Sequence, residues 1–187
     1  MSDGRPLFAF AFRSGLGHML CDFADADASG DNVDFVWVHL DLSDATAQAW
    51  LRRRPWPADV IEMVAAPIQR GRLFIARDMV YGHLRDFRDE PDAVTLQAGS
   101  LCVVASRSLL VTGRRIPLRS VSEVRSRVEA RTIRPEPVRA AAKWNAADIR
   151  APNARDQCCR QKYHREHRNY VKVSIGLLLD LRPQFFK

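Results

Sequence analysis

Phe35-Val36-Trp37-Val38-His39-Leu40 is the stretch that decides how this chain folds. It is nearly continuous in apolar character and rich in β-branched and aromatic residues. A strand with one wet face would alternate with period two, so this run predicts a central strand covered on both faces. Immediately after it, Ser43 stands where a hydroxyl can cap a helix N-terminus, and Asp44 favours the positive helix end. Ala47, Trp50 and Leu51 then recur at helical spacing until Pro55, which ends the helix. A second helix is expected from Pro57, whose missing amide donor is harmless in a first turn. Val60, Ile61 and Val64 supply its apolar stripe, and Pro67 closes it.

Working back from that strand, Leu7 to Phe12 is a short strand candidate. Arg13-Ser14-Gly15-Leu16-Gly17 then supplies turn residues before His18 to Phe23, giving a first hairpin. Asp25 to Asp34 is acidic, small and without periodicity, and is read as a solvated connection. Working forward, the period changes at Arg72. Leu73 to Ala76 and Met79 to Phe87 read as strands joined by a tight turn at Arg77-Asp78, with Gly82 marking a bulge. Leu101 to Ala105 and Leu109 to Thr112, separated by Ser106-Arg107-Ser108, repeat the hairpin pattern. After Pro117 a helix follows with the stripe Leu118, Val121, Val124 and Val128. The fold class is therefore α/β: a mixed, largely antiparallel sheet with helices on both faces.

Charge divides the chain near residue 130. Residues 1–130 carry 16 Arg, no Lys and 17 acidic residues, whereas 131–187 carry 13 basic residues against 5 acidic ones. The net +7 therefore belongs to the last segment, and the expected organisation is a folded domain over 1–130 followed by a basic tail over 131–187. Cys21, Cys102, Cys158 and Cys159 are too few and too uneven for a disulfide framework, and Cys102 sits in an apolar run where a thiol behaves as a small hydrophobe. Asp3 and Arg5 precede the first apolar stretch and no cleavage pattern follows it, so the expected compartment is the cytoplasm. Crossing a bilayer takes about 20 mostly apolar residues, and Val171 to Leu181 is interrupted by Lys172 and Asp180, so no membrane span is expected.

Phe8-Ala9-Phe10, the Gly15-Leu16-Gly17 turn, Trp37-Val38-His39-Leu40-Asp41-Leu42, Trp50-Leu51 and Leu110-Val111-Thr112-Gly113-Arg114-Arg115-Ile116-Pro117-Leu118 occur in this order before a final helix. In that combination the chain resembles the cytoplasmic N-terminal domain of ZntB-type members of the CorA divalent-cation transporters, from about Leu7 to Ala130. The resemblance implies an α/β/α domain that forms a funnel beneath the membrane and helps five subunits assemble around an ion path. It further implies a divalent cation, zinc or magnesium, as the partner, with no cofactor required. In the complete proteins a long helix, two transmembrane helices and a Gly-Met-Asn signature follow, and none of these is present in this sequence. The chain is therefore expected to act in regulation and assembly, without a pore. The departure after Ala130 is read as a reading-frame change or truncation.

Gly15-Leu16-Gly17 is read as a structural turn, because Leu20 occupies the third position of a dinucleotide fingerprint and no acidic ribose partner follows at the right distance. His39 is read as a hydrogen-bonded structural histidine, not a base or metal ligand. No G-x-S-x-G elbow, H-E-x-x-H helix or phosphate loop occurs, so no enzymatic role is assigned. Asp86, Asp89, Glu90 and Asp92 crowd one connection and offer the carboxylate oxygens that Mg²⁺ favours, but Arg85 and Arg88 are interleaved and nothing fixes octahedral geometry. Cys158, Cys159, His164 and His167 are ligand types that suit Zn²⁺, although their spacing fits no zinc finger and basic residues surround them. The rival reading is nucleic-acid binding by the tail, with Trp144, Tyr163 and Tyr170 among its basic residues. It lacks a recognised module and is set below the transporter reading.

Overall fold

The computed structural model describes residues 5–29, 33–66, 71–76, 79–88 and 98–133. The apolar run is β3 (Phe35–Asp41), with six of its seven residues buried. β1 (Phe8–Arg13) lies antiparallel to it on one side, pairing Phe10 with Trp37. β7 (Leu109–Arg114) lies parallel on the other, pairing His39 with Thr112. β2 (Leu16–Leu20), β4 (Arg72–Ala76), β5 (Met79–Phe87) and β6 (Ala98–Ala105) complete a seven-stranded sheet in the order β2-β1-β3-β7-β6-β5-β4. Every pairing but β3 with β7 is antiparallel.

Side chains on successive strand residues point to opposite faces, so a strand buried on both faces needs two hydrophobic layers. Phe8, Phe10, Phe12, Phe35, Trp37, Leu101, Val103 and Leu110 pack beneath α4 (Arg119–Glu129). Its Val121, Val124 and Val128 are buried at the expected spacing, together with Leu118 just before the helix. On the other face, Val36, Val38, Leu40, Cys102, Val104 and Val111 meet α1 (Phe23–Ala28), α2 (Ala45–Arg52) and α3 (Ala58–Ala65). Trp50 of α2 is 1% exposed and stacks on Phe23 of α1 at 5.0 Å. Full burial of a side chain of this size is worth about 1.5–3 kcal/mol or more, so this stack holds α1 in place.

Four local details differ from the sequence reading. Residues 23–28, expected in or beside a solvated connection, form α1. The side chain of Asp22 caps it by accepting from Asp25 N–H at 2.8 Å, and Phe23 is its buried residue. The cap of α2 is Asp44, which accepts from Thr46 N–H at 2.7 Å, not Ser43. Both residues are good caps, and the carboxylate gains additionally from the helix dipole. Pro57 stands one residue before α3, not in its first turn, and has no side-chain cap bond. The first hairpin turns on two residues, Ser14 (φ 51°) and Gly15 (φ 74°), so β1 extends to Arg13 and β2 begins at Leu16. Two left-handed residues match the right-handed twist of the flanking strands.

Gly82 pairs with Leu73 across β4 and β5 at φ 148°, and a Cβ there would lie 2.0 Å from the carbonyl oxygen of Arg72. Gly82→Ala is expected to destabilise the domain by about 1–3 kcal/mol through backbone strain, before the clash is counted. The effect should begin at β4. Urea denaturation will give the magnitude, and hydrogen exchange will show whether the amides of residues 72–76 lose protection first.

Candidate functional site

Trp37, His39 and Thr112, buried under α4, form one hydrogen-bonded set. Trp37 Nε1–H donates to Thr112 Oγ1 at 2.8 Å, and His39 Nδ1 lies 2.8 Å from the same oxygen. Residues 37 and 39 share this face of β3, and the parallel register sets Thr112 directly beside His39. The Phe8 ring stacks on the imidazole at 4.8 Å, with the Arg125 guanidinium 5.2 Å from the centre of the same ring. His39 Nε2 is buried and has no hydrogen-bond partner among the described residues. If the threonine hydroxyl donates to Nδ1, then Nε2–H lacks an acceptor; if Nδ1–H donates, the Nε2 lone pair lacks a donor. Burial first, and then the charge of Arg114, hold the His39 pKa down at about 3. A permanently neutral, enclosed imidazole is a packing element, as the sequence reading expects of it.

On the opposite face, His83 Nδ1 lies 3.2 Å from Ser100 Oγ and Nε2 lies 3.1 Å from the carbonyl oxygen of Met63. Nε2–H therefore donates to the C-terminal turn of α3, and Nδ1 accepts from the serine hydroxyl. Tyr81 O–H donates to Asp59 Oδ2 at 2.6 Å and ties the start of α3 to the same strand. Asp27 of α1 receives both the Trp50 indole N–H and the Arg54 guanidinium, which lies 4.0 Å over the Trp50 ring. These contacts dock helices to the sheet. No group of three or more His, Cys, Asp or Glu that could hold a metal ion occurs among the described residues.

Of the carboxylates proposed from sequence, Asp86 is not in the connection at all. It is the eighth residue of β5, 2% exposed and pointing toward α4, where it accepts from Ser120 Oγ at 2.8 Å and from Phe87 N–H at 2.7 Å. The period of the strand carries Asp86 inward with Val80 and Leu84, whereas Asp89, Glu90 and Asp92 lie outside the described residues. Cys158, Cys159, His164 and His167, like the whole basic tail, also lie outside them. Sequence reasoning missed His83 and Tyr81 as helix-docking groups; their odd-numbered spacing with Met79 on β5 was the available signal.

Two solution properties follow from this geometry. His39 titrates near 6.5 when unfolded and near 3 when folded, so the unfolded chain binds the extra proton. Stability from this group is complete above pH 6.5 and is lost as pH falls toward 3, by roughly 1.4 kcal/mol per pH unit. Urea midpoints between pH 7.5 and pH 4.5 should therefore fall less in His39→Gln than in the parent, a difference that equal slopes would refute. Burial pushes the Cys102 thiol up to about 12, whereas Cys21 is exposed. Iodoacetamide on the folded chain at pH 8, read by peptide mass mapping, should modify Cys21 and reach Cys102 only in denaturant.

A family model described as CorA-like Mg²⁺ transporter protein matches residues 32–142, more than half of the chain. Among solved structures, the full-length CmaX protein superposes with TM-score 0.63 at 22% identity over 73% of this chain. The ZntB cytoplasmic domain from Vibrio parahaemolyticus gives 0.59 at 17% identity over 72%, and the CorA soluble domain from Methanocaldococcus jannaschii 0.50 at 13% over 65%. The chain spans 43%, 53% and 46% of the lengths of those three proteins. No curated protein matches it. The superpositions carry the fold, and the family match carries descent: this chain belongs to the CorA-like Mg²⁺ transporter protein family.

Proposed function

We propose that this domain is the cytoplasmic regulatory and assembly part of a divalent-cation transporter of the ZntB type, acting on zinc or magnesium and working as a homo-oligomer, a pentamer by family resemblance. The observation that carries the reading is the coincidence of the family match over residues 32–142 with a two-layered sheet that superposes on both a ZntB cytoplasmic domain and a CorA soluble domain. No helix among the described residues is long and apolar enough to cross a membrane. The described part of the chain would thus act on a pore and not form one.

A domain without a pore regulates by preferring one arrangement of its neighbours. A cation that binds one arrangement better shifts the population toward it by its differential affinity, and by nothing more. Carboxylates shared between copies would make the cation contacts. Hard oxygen ligands and retained waters suit Mg²⁺ in such a wet junction, and histidine or thiolate would favour Zn²⁺.

Sedimentation velocity of the chain, with and without millimolar Mg²⁺ or micromolar Zn²⁺, tests this reading. Reversible assembly on cation addition, undone by a chelator, is the expected result. A monomer indifferent to both ions would count against it.

A further inference from the structure

A crevice of about 30 Å³ opens where the end of β3 meets α2 and α3. Its walls are Leu42, Leu51, Trp56, Ile61 and Val64. Leu42, Leu51 and Val64 are buried, while Trp56 and Ile61 are half-buried at the opening. A water needs ~10–15 Å³ and two or more polar partners, so the space is large enough for water but its apolar walls hold it poorly. Replacing poorly held water by an apolar group is favourable. The volume suits the end of one aliphatic side chain and is too small for a drug-sized ligand.

The rim is cationic. Arg52 donates to Gln48 Oε1 at 3.1 Å, Gln48 Nε2 donates to the Leu42 carbonyl oxygen at 2.9 Å, and Arg115 donates to that same oxygen at 3.2 Å. Arg52 and Arg115 are thus held at the mouth by neutral acceptors, and neither has an ion-pair partner among the described residues. The carboxylates that flank Leu42 in sequence bond to local backbone: Asp41 accepts from Ser43 N–H at 2.8 Å and Asp44 from Thr46 N–H at 2.7 Å. Two positioned guanidiniums, without an ion-pair partner among the described residues and beside an apolar hole, complement a carboxylate adjacent to an aliphatic group.

We propose that this crevice is a docking site for an acidic peptide segment of a partner protein, which inserts one aliphatic side chain between α2 and α3 and pairs flanking carboxylates with Arg52 and Arg115. Small apolar anchors ringed by charge are how peptide grooves combine affinity with choice of partner. The proposal does not rest on cation transport, and its assay reads neither assembly nor metal.

The test is titration of the full chain, at fixed low salt, with the synthetic peptide Ac-Asp-Glu-Leu-Asp-Glu-NH₂, followed by calorimetry and by chemical shifts of the Trp56 indole. Saturable binding at millimolar peptide is expected. The Arg52→Gln, Arg115→Gln double variant should weaken it roughly fivefold, the loss expected of two exposed ion pairs. A peptide with glycine in place of leucine should lose it comparably. Arg52→Gln alone, with thermal melting matched to the parent, separates a binding defect from a folding one. Absent saturation, equal affinity of the glycine peptide, or indifference to the arginine changes would each overturn the proposal.

Discussion

The whole architecture depends on β3 being covered on both faces. A strand of six buried residues in a row cannot lie at a wet surface or at a sheet edge without exposing several large apolar groups, so it must have strand neighbours on both sides and a layer above and below. The β1–β2 hairpin supplies one neighbour and β7 the other, and the helices divide between the faces accordingly. Because the β3–β7 pairing is parallel, a crossover must join them: the chain leaves the sheet through α2 and α3 and returns to β7 through the β4–β5–β6 meander of the same sheet. The polar cluster of Trp37, His39 and Thr112 is a consequence of the same register. His39 is carried inward by its place between Val38 and Leu40, and Thr112 opposite it satisfies one ring nitrogen.

What was legible in the sequence follows from how locally each feature is specified. α2 and α4 announce themselves by period alone, β3 by an unbroken apolar run, and the β6–β7 hairpin by two apolar runs around a three-residue polar turn. α1 was hidden because six residues with a single buried side chain make too short a stripe to show helical period. Its stability comes from the Trp50 stack, which is 27 residues away from Phe23 in sequence and therefore invisible to a local reading. Strand order was not legible either. Pairing of β1 with β3, or of β3 with β7, depends on contacts across distant segments that no local pattern encodes.

The candidate site shows the opposite balance. Composition drew attention to acidic residues after β5 and to cysteine and histidine near the C-terminus, because ligand types are conspicuous when clustered. Clustering in sequence says nothing about direction, and Asp86 illustrates the difference. It belongs by sequence to the acidic group, yet the two-residue period of β5 aims it at Ser120 of α4. Conversely, the Arg52–Gln48–Leu42–Arg115 chain has no signature in sequence at all, since its two arginines are 63 residues apart and are brought together only by the parallel placement of β7 beside β3.

That arrangement bears on how such a domain can influence anything beyond itself. Of the buried histidines among the described residues, His39 is enclosed against Thr112, and His83 is spent on Ser100 and Met63 and so ties α3 to the sheet. A binding equilibrium at a surface favours one arrangement of partners over another by contacts present in only one of them. A rigid double-faced sheet suits that role, because packed interiors resist gradual deformation and pass an event at a surface on as movement of the domain as a unit. The junction of α2 and α3 with the end of β3 is well placed for such an event. Both helices rest on the buried central strands, and α3 is additionally tied to β5 through Tyr81 and His83, so a partner held there is held by the body of the domain and not by a loop.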